Sequence, residues 1–209
     1  VTLFYEVKAN LSREQVKVLG DAGVRFVQPG IESLSSHILK QMRKGVKAIH
    51  NIYMLKLCRT FNVYPMWNML YGFPGERVGD YEAMAELVPK MVHFQPPYGG
   101  PRRLELHRFS PYFSEKGRWV ENLRPRSWYR GLFPEDKVDL ARVAYYFDGD
   151  WKEELPVQAY ETLIDRVWTW LDVWRASPRL PRLDFGQDEQ GRYFIVDTRI
   201  GRSGRWMMD

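Results

Sequence analysis

The chain has 209 residues, of which 44% are hydrophobic and 27% charged, with a formal net charge of +5. These values exclude an intrinsically disordered chain and leave room for one full core plus an appendage. The single cysteine, Cys58, excludes a disulfide framework and any metal or iron–sulfur site built from this segment's own thiols.

The first residues already read as a strand, over 3–8, so no signal peptide is expected there. The chain starts at Val1 rather than Met, and a fragment of a longer protein is expected. Ser12 opens a helix, with Gln15 placed three residues on as a capping-box partner, and Gly23 ends it. Residues 24–30 form a second strand. Ser35 or Ser36 caps a helix running through Lys44 and stopped by Gly45; a longer helix covers 48–61. A third strand spans 64–71 and closes at the turn Gly72-Phe73-Pro74-Gly75. Asp80 is expected to cap the next helix, in which Met84, Leu87, Val88 and Met91 recur at helical spacing. Pro89 implies a kink or an early end there. A fourth strand is expected over 104–109. Strands alternating with helices of this length indicate βα units around a parallel sheet, too few to close an eight-stranded barrel but sufficient for part of one.

Beyond Pro111 the character changes. Residues 114–134 are rich in Arg, Trp and Pro and read as irregular. A helix is expected over 136–147 and another over 156–176, where Tyr160, Leu163, Ile164, Val167, Trp168, Leu171 and Trp174 form a broad apolar stripe. That stripe reads as core rather than as a cofactor box. Residues 182–198 read as a hairpin turning at 188–191. The domain boundary is placed at 113, with 1–113 as a barrel portion and 114–209 as an accessory, substrate-facing region. No apolar run is long enough to cross a bilayer, and a cytoplasmic protein without a membrane partner is expected. Arginine supplies most of the charge, densest near residues 101–103, 118–130 and 175–182; a solvated surface, nucleic acid, or an acidic or phosphate-bearing substrate all accommodate it.

Side chains alternate along a strand. One choice of face therefore places Glu6, Lys8, Gln28, Glu32, Asn68, Glu105 and His107 together; the other choice leaves them solvated. Unpaired buried carboxylates are costly, so if the shared face is interior it implies mutual pairing or a bound polar ligand. Carboxylates and amides at strand ends suit ribose hydroxyls and an amino group.

The motifs YEVKANL, GVRFVQPGIESLSSHILKQMRKG and MWNMLYGFPGE, in this order, resemble the second half of a radical S-adenosylmethionine (SAM) barrel, over about residues 2–113. Together with RFSPYF and the closing DTR at 197–199, they resemble more narrowly the cobalamin-dependent radical SAM enzymes that mature ribosomally made peptides. The resemblance implies an α/β fold: the C-terminal portion of a partial (β/α)6 TIM-type barrel, followed by a mainly helical region with a β-hairpin. It also implies roles. Glu6 matches an acid that contacts SAM, Glu32 and Ser33 match ribose contacts, and Asn68 stands where Asp is usual. Gly72, Phe73 and Pro74 match a turn passing the adenine, and His107 and Arg108 a strand end that meets it. Lys8, Gln28 and Tyr71 fall on the substrate side.

The implied activity of the whole protein is cobalamin-dependent C-methylation of an unactivated carbon in a precursor peptide, with a flavodoxin- or ferredoxin-type reductant. The resemblance departs at one large point. The CxxxCxxC loop that binds the 4Fe–4S cluster is not in this sequence, nor is a cobalamin-binding region, so the chain alone is expected to be inactive and to carry no metal ligands. Other radical SAM chemistry, such as methylthiotransfer or a cyclising oxidation, and a non-catalytic nucleic-acid-binding fragment are the alternatives.

Overall fold

The computed structural model describes residues 3–176, 178–199 and 204–208. In chain order the elements begin with β1 (Phe4–Val7), α1 (Arg13–Asp21), β2 (Phe26–Pro29), α2 (Ser36–Gln41), α3 (Ala48–Thr60), β3 (Tyr64–Pro65), β4 (Met69–Tyr71), α4 (Val78–Met91) and β5 (Pro101–Arg103). Then come β6 (Leu106–His107), α5 (Pro111–Ser114), α6 (Lys116–Trp119), β7 (Val120–Pro125), a 3-10 turn (Ser127–Gly131), α7 (Leu140–Val143) and β8 (Tyr146–Trp151). The chain closes with α8 (Gln158–Ala176), β9 (Leu183–Gln187), β10 (Tyr193–Asp197) and β11 (Gly204–Met207).

Two compact units result. The first comprises Val1–Tyr71, Arg77–Arg102 and Pro156–Asp209; the second comprises Gly72–Glu76 and Arg103–Leu155. In the first unit β1, β2 and β3 form a parallel sheet in that order. Local signals start its helices as the sequence predicts. The Ser12 side chain accepts the Gln15 backbone N–H while the Gln15 side chain accepts that of Ser12, satisfying two donors the helix start would otherwise orphan. Gly23 and Gly45 take positive φ just past α1 and α2, where a Cβ would be strained. Val16, Val24, Val27, Met54, Leu57, Cys58 and Val63 form one buried cluster that joins α1 and α3 to one sheet face.

Several elements differ from expectation. The third strand is broken into β3 and β4; between them Trp67 is fully buried and donates its indole N–H to Gln95 O at 3.0 Å. Asp80 is not the cap of α4 but sits in its first turn, accepting the Arg77 N–H at 3.1 Å. The helix runs two residues past Pro89. α2 ends at Gln41 rather than Lys44.

The fourth strand is the main correction. Only Leu106–His107 is strand there, and it pairs antiparallel with β8 in a β6-β8-β7 sheet of the second unit. Leu106 is drawn into a separate core with Val120, Tyr129, Ala144 and Phe147, so its burial, not its local pattern, decides its partner. The helix expected over 136–147 shrinks to Leu140–Val143; Ala144 is already extended, and the aromatic pair Tyr146–Phe147 favours the strand that follows. Val120–Pro125, read as irregular, is a strand with an irregular register between Glu121 and Arg124. α8 and the 182–198 hairpin stand as expected, with β11 added as a third antiparallel strand.

Candidate functional site

The sheet of the first unit has two unlike faces. On β2 and just beyond it, Val27, Pro29 and Ile31 are buried, while Phe26, Gln28, Gly30 and Glu32 are half-exposed. Val27 and Val7 join the cluster under the helices. The alternation of a strand therefore puts Glu6 and Gln28 on the face away from that cluster. They are register partners in the parallel β1–β2 ladder, so a carboxylate and an amide stand side by side. Glu6 and Lys8 are exposed.

Glu32 ends this row. Its backbone forms an isolated parallel bridge with Met69, with Leu70 N–H donating to Glu32 O at 2.8 Å. Asn68, half-buried, immediately precedes that bridge. Glu32 has φ 56°, and the N–H of Ser33 reaches back to Ile31 O at 2.6 Å. Together these describe a three-residue turn with positive φ at its centre, the rare and strained form. The Lys44 ammonium lies 2.7 Å from Glu32 Oε1, with both side chains about a quarter exposed. That pairing leaves the second carboxylate oxygen available to a ligand hydroxyl.

The serines that follow are committed within the protein. Ser33 is fully buried; its hydroxyl accepts the Ser35 N–H at 3.1 Å and lies 3.6 Å from Met84 Sδ. Ser35 accepts the Ile38 N–H as cap of α2 and donates to Asp80 Oδ1 at 2.6 Å. His37 Nδ1 meets the other oxygen of Asp80 at 2.8 Å. The Tyr71 ring packs at 4.9 Å from that of Tyr160 on α8. The first unit thus sets Glu6 beside Gln28 on β1 and β2, Glu32 at the bridge to Met69 with Asn68 next to it in the chain, and Lys8 just beyond β1. It sends Ser33 inward and packs Tyr71 against α8.

The remaining predicted residues belong to the second unit. Gly72 and Gly75 have φ of 85° and 77°, conformations that favour glycine. Phe73 and Pro74 are buried, and the Phe73 N–H donates to Glu76 Oε2 at 2.7 Å. The GFPGE segment is therefore a turn closed by its own glutamate. His107 lies edge-on to Tyr146 at 4.9 Å, and its Nε2 is 3.4 Å from Glu105 Oε2. Arg126 donates to Glu105 Oε1 at 2.8 Å. Burial pushes the Glu105 carboxyl up, but the hydrogen bonds from Arg126 and His107 outweigh it and hold it below its ordinary value. The Arg108 guanidinium donates to the Ala144 and Ala141 carbonyls at 2.6 and 2.5 Å and lies over the Phe113 and Phe147 rings; it braces this unit's core.

Two residues of the site were missed from sequence. Lys44 lies just before Gly45 in the QMRKG run, and its reach back to Glu32 had no periodic signal. Asn51 lies on the buried stripe of α3 with Met54, Leu55 and Cys58; a polar residue in an apolar stripe was the available clue.

As for metal, burial pushes the Cys58 thiol up to about 12, a neutral and inert state. Among the described residues no group of three His, Cys, Asp or Glu side chains could hold a metal ion, and no helix is long and apolar enough to cross a membrane.

No family model matches the chain. Over 85 residues, 40% of this chain, it is 29% identical to an uncharacterized methyltransferase of Pyrococcus horikoshii, of which it covers 18%. Among solved structures it is similar to TsrM from Kitasatospora setae, a radical S-adenosylmethionine methyltransferase. The form with tryptophan substrate and a SAM analog bound gives a TM-score of 0.54 at 15% identity, covering 83% of this chain and 37% of that one. The form with cobalamin and a 4Fe–4S cluster bound gives 0.50 at 14% identity, covering 81% and 36%. The chain thus spans well under half the length of these relatives. What it shares with the solved structures is the fold: a radical SAM-like α/β arrangement.

Proposed function

We propose that this chain is the SAM-holding part of a radical SAM methyltransferase, and that the whole protein methylates an unactivated carbon of a ribosomally made precursor peptide with the help of cobalamin. The observation that carries the reading is the in-register pair Glu6 and Gln28 on the sheet face opposite the helix-covered core, continued by Glu32 and Asn68. The fold it shares with a methyltransferase solved with a SAM analog bound supports it.

These side chains fit SAM. The carboxylates of Glu6 and Glu32 and the amide of Asn68 offer acceptors for ribose hydroxyls and an ammonium group, and amide N–H donors for a carboxylate. SAM, when bound in such an enzyme, supplies the 5′-deoxyadenosyl radical that removes hydrogen from the substrate. The chain's own residues bind and orient it. Glu32, neutralised on one oxygen by Lys44, accepts from a ribose hydroxyl with the other. Glu6 offers an exposed carboxylate to the amino end. Gln28, Lys8 and Tyr71 are the substrate-side residues of this reading.

The residues present do not fit an iron–sulfur cluster. One buried, protonated thiol is not a ligand set. In the whole protein the cluster, the cobalamin and a flavodoxin- or ferredoxin-type reductant complete the chemistry.

The test is equilibrium binding of SAM to the 209-residue chain and its Glu32→Ala and Glu6→Ala variants. Loss of a hydrogen bond to a charged group is worth about 1.5–3 kcal/mol, so each variant should bind about tenfold or more weakly. Wild-type affinity in both variants would overturn the assignment.

A further inference from the structure

Glu32 sits in a strained turn, and one buried side chain is placed to hold it there. Asn51 on α3 is fully buried. Its Nδ2 group donates to Ile31 O at 2.9 Å and to Ser33 O at 2.8 Å, the carbonyls on either side of Glu32. One NH2 group can reach both only where the chain between them folds so that they converge, and the left-handed Glu32 provides that fold. Ile31 O also accepts the Ser33 N–H at 2.6 Å, so the turn and the clamp share an acceptor. Asn51 Oδ1 is buried without a hydrogen-bond partner. An orphaned buried acceptor is destabilising, so a residue chosen for packing alone would be apolar; only the donor end has a use at this position.

Resting on the reading of Glu32 as a SAM contact, we propose that Asn51 is a positioning residue. It locks the Ile31–Glu32–Ser33 turn and thereby presets the direction of the Glu32 carboxylate toward the ligand. Lys44 approaches the same carboxylate from the α2 side, so backbone and side chain of Glu32 are fixed by two different residues. A preset carboxylate loses less freedom on binding.

The experiment is a double-mutant cycle on SAM binding by the full chain: wild type, Asn51→Leu, Glu32→Ala and the double variant. Asn51→Leu removes both donors at similar volume. Acting through Glu32, it should weaken SAM binding about tenfold in the wild-type background and less than about twofold when Glu32 is already Ala. Equal weakening in both backgrounds overturns the proposal, because a general loss of structure does not depend on Glu32. If Asn51→Leu fails to fold, Asn51→Ser, which deletes the bidentate donor with less disturbance, takes its place under the same criterion. No SAM binding by wild type would overturn the whole binding-face reading, and binding insensitive to Glu32→Ala would overturn the role of Glu32. Both results differ from binding that needs Glu32 but ignores Asn51, which removes this inference alone.

Discussion

At the residue scale, Glu76 is a polar group consumed by a turn. The residue is only 6% exposed, and its carboxylate accepts the Phe73 N–H. Glu76→Ala should destabilise the second unit by about 1.5–3 kcal/mol, the usual worth of a charge-assisted hydrogen bond, read as a lower urea midpoint at unchanged slope.

His93 sets a pH dependence. Burial, and next the positive charge of Arg199, bring its imidazole down to about 4. The unfolded imidazole takes a proton near 6.5, whereas the folded one resists until about 4. Stability is therefore fully present above 6.5 and falls as pH drops toward 4, by about 3 kcal/mol if this group acts alone. His93→Leu should flatten that part of the stability–pH curve; an unchanged slope would remove His93 as its source.

That Glu6 and Gln28 share a sheet face was legible because strand alternation groups them. Asn51 was not, because its meaning lies in two carbonyls contributed by a loop some twenty residues earlier.

At the element scale, helix signals in this sequence are local and strand signals are not. Ser12, Gln15, Gly23, Ser35 and Gly45 each act within a few residues, so α1–α3 begin and end close to where the sequence places them. α8 was legible as a helix, yet Trp168 on its predicted stripe is 40% exposed while Trp170, off it, is fully buried. The reason is hydrogen bonding. Trp170 donates to Phe94 O at 2.9 Å and Trp174 to Val92 O at 2.7 Å, serving carbonyls at the end of α4 that helix geometry leaves open. Apolar periodicity cannot anticipate an indole chosen for its N–H. Trp170→Phe should cost about 2–4 kcal/mol, from lost volume together with an unpaired Phe94 carbonyl. Trp168→Phe should shift the melting temperature hardly at all, since surface changes rarely exceed about 0.5 kcal/mol. The strands β6, β7 and β8 were misread because each owes its existence to pairing with a partner distant in sequence.

At the scale of the whole molecule, two buried clusters among the described residues, one around Val27 in the first unit and one around Phe147 in the second, have no residue in common. Separate cores predict separable unfolding. Phe147→Ala should remove about 3–5 kcal/mol from the second unit and speed hydrogen exchange at amides such as Val120 and Phe147. Protection at Leu57 and Cys58 should remain. Uniform loss across both sets would show a single cooperative unit.

The outermost strand of the parallel sheet has a further consequence. β1 stands at the sheet edge among the described residues, with Leu3, Phe4 and Tyr5 each more than two-fifths exposed. An open edge carrying apolar side chains is a template for another strand. Handled as this 209-residue chain, the protein should self-associate through that edge as its concentration rises, visible in sedimentation as a concentration-dependent mass. A lysine at position 4 should suppress it. Solubility, as much as ligand affinity, then becomes a property of the first strand.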